Sequence, residues 1–181
     1  MTLVEFAFVA PVMLLMIFGV MDLGFRLYVQ SILTGAMQRA GRDASLETGA
    51  SRASTLDDDV VKSVHAVVSN ATWASSRQSF SDYGSIKPEP FTDSNSNGVY
   101  DVGECYSDVN DNGSWDENPG RTGLGGANDA VIYTMTITYP RLFPLAGWLG
   151  WTGDQVISSR TVLKNQPYST QNGFAPVTRC S

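Results

Sequence analysis

Two short stretches of the chain concentrate oxygen-bearing side chains at fixed spacing. In Asp93-Ser94-Asn95-Ser96-Asn97-Gly98-Val99-Tyr100-Asp101-Val102-Gly103-Glu104, Asp or Asn stands at positions 1, 3 and 5, glycine at 6, and acids at 9 and 12. This is the order of a calcium loop, because hard Ca²⁺ takes about six to eight oxygen ligands and needs a sharp turn to gather them. Asp93, Asn95 and Asn97 would supply side-chain oxygens, Val99 its main-chain carbonyl, Asp101 an oxygen through water, and Glu104 two oxygens.

Fifteen residues later the pattern recurs. Asp108, Asn110, Asn112, the carbonyl of Ser114 and Asp116 take the same places, with Gly113 at the turn. Position 12 is Pro119, whose side chain cannot ligate; either Glu117 substitutes for it or the second site is weaker. One or two Ca²⁺ ions are expected, in a structural role, since a long polar segment has no apolar core of its own to order it. The alternative is a pair of Asn/Gly-rich turns without metal.

The loops also account for the charge. The chain has 181 residues, with 12 Lys and Arg against 18 Asp and Glu, a formal net of −6. Seven of those acids, and no base, lie between Asp93 and Glu117. The remainder therefore carries 11 acids against 12 bases, a near-neutral body. An acidic balance without a basic block argues against nucleic-acid binding. A single histidine, His65, and two cysteines exclude most zinc sites and leave little for imidazole catalysis. His65 lies among valines without a motif-linked nucleophile, so it is expected to be structural or exposed, and the chain is not expected to be an enzyme.

The elements that position the loops begin with an apolar N-terminus. From Met1 to Met21 the only ionisable side chain is Glu5. Twenty-one helical residues span roughly 31 Å, the thickness of a bilayer's hydrocarbon core. A signal peptide would carry an early base and a small-x-small cleavage site, and neither is present. A buried core helix would rarely be apolar on every face over such a length. Phe25, Val29, Ile32, Ala36 and Ala40 continue the helical period, and Asp22 and Arg26 are spaced to pair. The expectation is one helix from about Thr2 to Leu46, apolar all round in its first half, amphipathic in its second, and kinked at Pro11. A carboxylate at Glu5 costs several kcal/mol in a membrane unless it lies at the headgroups or is paired; the nearest cation would be a free α-amino group.

The residues Met1-Thr2-Leu3-Val4-Glu5-Phe6, followed by an apolar helix with a proline, resemble the mature N-terminus of type IV pilins. More narrowly, Val4-Glu5-Phe6-Ala7-Phe8-Val9-Ala10-Pro11, Met21-Asp22-Leu23-Gly24 and Met37-Gln38-Arg39-Ala40-Gly41-Arg42 are similar to the TadE-like proteins of tight-adherence (Tad) pili. The resemblance covers about the first 45 residues. It implies cleavage of a leader by a prepilin peptidase, a methylated Met1, and a Glu5 that neutralises a neighbour's N-terminal amine during filament assembly. It implies nothing about the acidic loops.

Beyond the helix, Thr55-Leu56-Asp57-Asp58 reads as a variant capping box and Val60, Val61, Val64, Val67 and Val68 as a helical stripe, giving a second helix over about Leu56–Ser69. Ala130–Tyr139 and Gln155–Lys164 alternate as half-buried strands suited to antiparallel pairing. The connection between them carries Leu142, Phe143, Leu145, Trp148, Leu149 and Trp151, and is expected to pack on the core or to form an interaction surface. The segment from strand to strand again resembles the C-terminal part of TadE-like proteins. Cys105 and Cys180 make an even pair, expected to be a disulfide in an exported protein.

The expected fold is α+β: a long N-terminal helix over 1–50, and a head over 51–181 in which a second helix packs on a small antiparallel sheet, with a calcium-loop insertion at 92–120. The expected function is that of a structural pilin subunit, held in the inner membrane and assembling with its own copies or other pilins into an extracellular Tad-type filament for surface attachment. Two other readings are a minor TadE-like pseudopilin that aids assembly, and a membrane-anchored calcium-dependent binding module that never polymerises.

Overall fold

The computed structural model describes residues 3–46, 53–143, 147, 150, 152–165 and 176–180. Helix α1 runs from Leu3 to Leu46 and α2 from Ala53 to His65. The strands are β1 (Thr72–Phe80), β2 (Cys105–Asp108), β3 (Arg121–Thr122), β4 (Ala130–Pro140), β5 (Asp154–Lys164) and β6 (Val177–Cys180). Four form a sheet in the order β3-β1-β4-β5, and β2 pairs with β6 in a second, two-stranded sheet. The expected α+β class is the one observed.

Contacts divide the chain into two compact units: Met1–Ala40, Thr55–Ser75 and Thr134–Arg160 form the first, and Gly41–Ser54, Ser76–Tyr133 and Thr161–Ser181 the second. In the first unit, α1 is a single 44-residue helix with Pro11 inside it, about 66 Å long by helical rise. Its most apolar 18-residue window has a mean hydropathy of 2.3 and no part of it is buried, so by length and composition it can cross a membrane. Farther along, Val29, Leu33, Ala36, Met37 and Ala40 are buried. Leu33 and Met37 widen the stripe read from the sequence, and each contributes about 1.5–3 kcal/mol by leaving water.

Asp22 does not pair with Arg26. Its carboxylate accepts from Arg141 Nη1 at 2.6 Å and Gln155 Nε2 at 3.1 Å, because a guanidinium presented from the sheet fits the carboxylate better than a neighbour on the same exposed helix face. Phe143 packs on Phe18, ring centroids 4.9 Å apart, while Leu142 is exposed. Leu145, Trp148, Leu149 and Trp151 lie outside the described residues.

Helix α2 begins at Ala53, so Thr55 lies in its first turn and is not its N-cap. The helix ends at His65, short of the expected Ser69. There Val67 and Val68 both donate to the Val64 carbonyl, and His65 Nε2 meets the Ala71 carbonyl at 2.9 Å. His65 is thus bound into the turn that leaves the helix. Within the sheet, Met135, Ile137 and Tyr139 of β4 are buried while Thr134, Thr136 and Thr138 are half-buried, as the alternation predicts. A bond from the Arg141 amide to the Gly153 carbonyl closes one end of the β4–β5 pair.

In the second unit, the Asn165 amide donates to the Asp129 carbonyl, closing the other end of that pair in the antiparallel sense. Strand β3 pairs antiparallel with β1, Gln78 opposite Thr122 and Ser79 opposite Arg121. Strand β2 pairs antiparallel with β6, and Cys105 faces Cys180 across a disulfide. The acidic segment lies entirely within this unit.

Candidate functional site

Strand β2 separates the two acidic loops: residues 93–104 end just before Cys105, and Asp108, the last residue of the strand, opens the second loop. The loops have the same local fold, bond for bond. In the first, the Asp93 carboxylate accepts from the amides of Asn97 and Gly98; in the second, Asp108 accepts from Asn112 and Gly113. Asn95 Oδ1 accepts from the Asn97 amide and Asn110 Oδ1 from the Asn112 amide. Asn97 Oδ1 accepts from Val99 and Asn112 Oδ1 from Ser114. In each loop both carboxamide nitrogens then converge on one acid, Asn95 and Asn97 on Asp101 at 2.7 Å, and Asn110 and Asn112 on Asp116 at 2.8 and 2.6 Å.

The backbone follows the same repeat. Position 4 is left-handed in both loops (Ser96 φ 61°, Asp111 φ 56°), and position 6 is a glycine at φ 78° and 79°. Gly98 and Gly113 stand where an L side chain would be strained. Position 8 is aromatic in each, and Tyr100 and Trp115 stack 4.8 Å apart with an interplanar angle of 12°. Phe91 meets both edge-on. This aromatic cluster joins the loops and supplies the apolar packing that their own sequences lack.

The loops differ at position 12. Glu104, buried, accepts from the Ser94 amide with Oε1 at 2.7 Å and from the Asp101 amide with Oε2 at 3.1 Å, which are positions 2 and 9 of its loop. In the second loop the residue at position 12 is Pro119, and Glu117 is exposed. The equivalent amides, those of Val109 and Asp116, instead donate to Glu89, to Oε1 at 2.8 Å and Oε2 at 3.1 Å. Glu89 lies 19 residues before the loop begins. It is brought there by the segment from Glu89 to Thr92, which runs antiparallel to β2 through bonds from Thr92 to Cys105 and from Ser107 to Pro90, with Phe91 opposite Tyr106. The Glu89 main chain is held as well, its amide donating to the Asp116 carbonyl and its carbonyl accepting from Trp115 Nε1 at 2.9 Å.

Burial raises the Glu89 pKa above the ordinary glutamate value; the Val109 and Asp116 amides oppose the shift, and the charges of Asp108 and Asp116 add to it. Asp108 is fully buried. Burial raises its pKa too, but the Gly113 amide, the Arg179 guanidinium and the Asn112 amide together hold it below the usual range. Arg179, on β6, reaches Asp108 at 2.5 Å and Asp111 at 2.6 Å, and these partners raise its own pKa.

Among the described residues no group of three or more His, Cys, Asp or Glu side chains is arranged to hold a metal. The oxygens gathered in each loop are a mixture of carboxylates, carboxamides and carbonyls. A half-turn of an Asn carboxamide exchanges its nitrogen for its oxygen, so the convergent positions around Asp101 and Asp116 can present acceptors as well as donors.

The residues singled out on α1 are spread along its exposed part. Glu5 and Pro11 are exposed, and Met1 lies outside the described residues. Residues 1–42 match the family model described as TadE-like protein. The match covers the helix read as TadE-like from Met1-Thr2-Leu3-Val4-Glu5-Phe6 onward, and leaves both loops outside it. No curated protein and no solved structure matches the chain.

Proposed function

We propose that the chain is a structural pilin-like subunit of a Tad-type pilus, processed by a prepilin peptidase, held in the inner membrane by α1, and assembled through that helix into an extracellular filament for surface attachment. The observation that carries this reading is the TadE-like match over residues 1–42, falling on a helix whose apolar residues from Val4 to Tyr28 are largely exposed. An apolar helix face of this length needs lipid or other helices around it, and exchanging lipid for helices is what a filament core does. Glu5 neutralises the N-terminal amine of a neighbour and sets axial register. The role is structural, with no reaction to catalyse, and the partners are copies of this chain or other pilins.

Ca²⁺, one ion in each loop, orders the acidic segment. The support is the twelve-residue pattern together with two loops of matching hydrogen bonds and backbone. With two ions the formal charge would move from −6 to −6 + 4 = −2, which lowers repulsion between stacked copies.

Expression of the Glu5→Ala chain in a piliated host tests the assembly reading. Filaments should disappear from sheared surface material while the protein stays in the membrane with its disulfide formed. Normal filaments would refute it. Mass spectrometry of the native chain separates the remaining readings. A methylated Met1 in filaments supports a pilin, the same N-terminus confined to trace amounts points to a minor pseudopilin, and an unprocessed leader in the membrane fraction points to a non-polymerising anchor. EDTA should lower the melting temperature of the purified chain, and an unchanged melting curve would sink the calcium reading.

A further inference from the structure

The second loop carries all of the pattern except its last ligand, and the fold supplies a residue at that place. We infer that Glu89 is the bidentate twelfth-position ligand of the second loop, donated from outside the linear motif, so that the two loops form two complete sites. The inference rests on the calcium reading above and assigns a ligand that the motif alone gives to Pro119 or Glu117.

Three observations carry it. The two oxygens of Glu89 meet the amides of Val109 and Asp116, positions 2 and 9, just as those of Glu104 meet Ser94 and Asp101. The carboxylate is therefore held by the same two anchors, which leave one lone pair on each oxygen free for an ion. Second, Glu89 is only 1% exposed, yet among the described residues no lysine, arginine or histidine is ion-paired with it. Its neighbours Asp108 and Asp116 are acids, and of these Asp108 alone has a cation, Arg179. A carboxylate taken out of water beside other acids is costly until a cation joins it. Third, Glu89 stands between Pro88 and Pro90, and the segment that follows is tied to β2. The two prolines limit the backbone on both sides, so the carboxylate is presented on a restrained chain.

Calcium titration of the full chain in detergent micelles, by calorimetry and by Tb³⁺ luminescence excited through Trp115, tests the assignment. Wild type should bind two ions. Glu104→Gln should weaken one site, and Glu89→Gln the other, each by about tenfold or more, as loss of a bidentate oxygen pair implies. Glu117→Gln should bind like wild type. If Glu117→Gln loses the second ion while Glu89→Gln keeps both, the assignment to Glu89 is overturned and the calcium reading stands. If wild type binds no ion, the calcium reading itself fails and takes this inference with it. Near-UV circular dichroism checks that Glu89→Gln is folded. Should it not be, a map of the calcium-loaded wild-type chain decides without a variant: the Glu89 carboxylate within about 2.6 Å of the second ion supports the assignment, and Glu117 or water in its place overturns it.

Discussion

The two acidic loops share every local hydrogen bond and differ in how they are completed. The first is closed by its own sequence, because Glu104 returns to the amides of Ser94 and Asp101 within twelve residues. The second is closed by the fold, through Glu89 from upstream and Arg179 from the C-terminal strand. The first should therefore form wherever its segment is present. The second requires β2 to be flanked on one side by residues 89–92 and on the other by β6. A repeated motif can thus be locally encoded in one copy and tertiary in the next.

The largest effect should come from removing the disulfide. Cys105→Ser with Cys180→Ser is expected to cost about 4–5 kcal/mol, from the entropy of closing a long loop. In hydrogen exchange, amides 109–116 should lose protection before amides 94–101. Equal loss in both loops would remove the distinction between them. Arg179→Ala comes next. It leaves the fully buried Asp108 without its cation, and with Arg179 itself partly exposed the cost should be about 2 kcal/mol. The folded-state pKa of Asp108 is depressed, so this stabilisation is present above its unfolded pKa and is lost as the pH falls through the folded value. The gap between wild type and variant should accordingly close in acid, and a gap that persists there would assign it to packing.

Smaller effects probe what the loops share. Gly98→Ala and Gly113→Ala should each cost about 1–2 kcal/mol. Nothing lies within 4 Å of an added Cβ at either place, so the cost is conformational alone and should be equal. Unequal costs in chemical denaturation would show that the backbones are not equivalent. Last, a double-mutant cycle on Tyr100→Ala and Trp115→Ala should give a coupling of about 1 kcal/mol. A coupling near zero would mean that the stacked rings do not link the loops.

What the sequence made legible follows from the range of each interaction. Helix α1, β4, β5 and the first loop rest on periodicity or on ligands close in the chain, and each was readable. Strand β1, Thr-Trp-Ala-Ser-Ser-Arg-Gln-Ser-Phe, was not, because only Ser79 and Phe80 at its end are buried and no alternation marks it. The short strands β2, β3 and β6 are defined by their partners, and no pattern within them could announce that pairing. Glu89 was hidden because a linear pattern searches forward from Asp108. The available signal was an acid enclosed as Pro88-Glu89-Pro90 ahead of Phe91. The aromatic at position 8 of both loops was a second signal, pointing to contact between them.

The Cys105–Cys180 bond also sets how the chain carries tension. A pull applied to its two ends passes from residue 105 to residue 180 through one covalent link, bypassing the 75 residues of separation between them. At roughly 3.4 Å per residue, about 250 Å of contour is withheld from stretching. The first loop lies on the load path and the second lies off it, sheltered inside the closed ring. In single-molecule extension the reduced chain should lengthen by that withheld amount relative to the oxidised one. The loop that depends most on its surroundings is therefore the one that an external force reaches last.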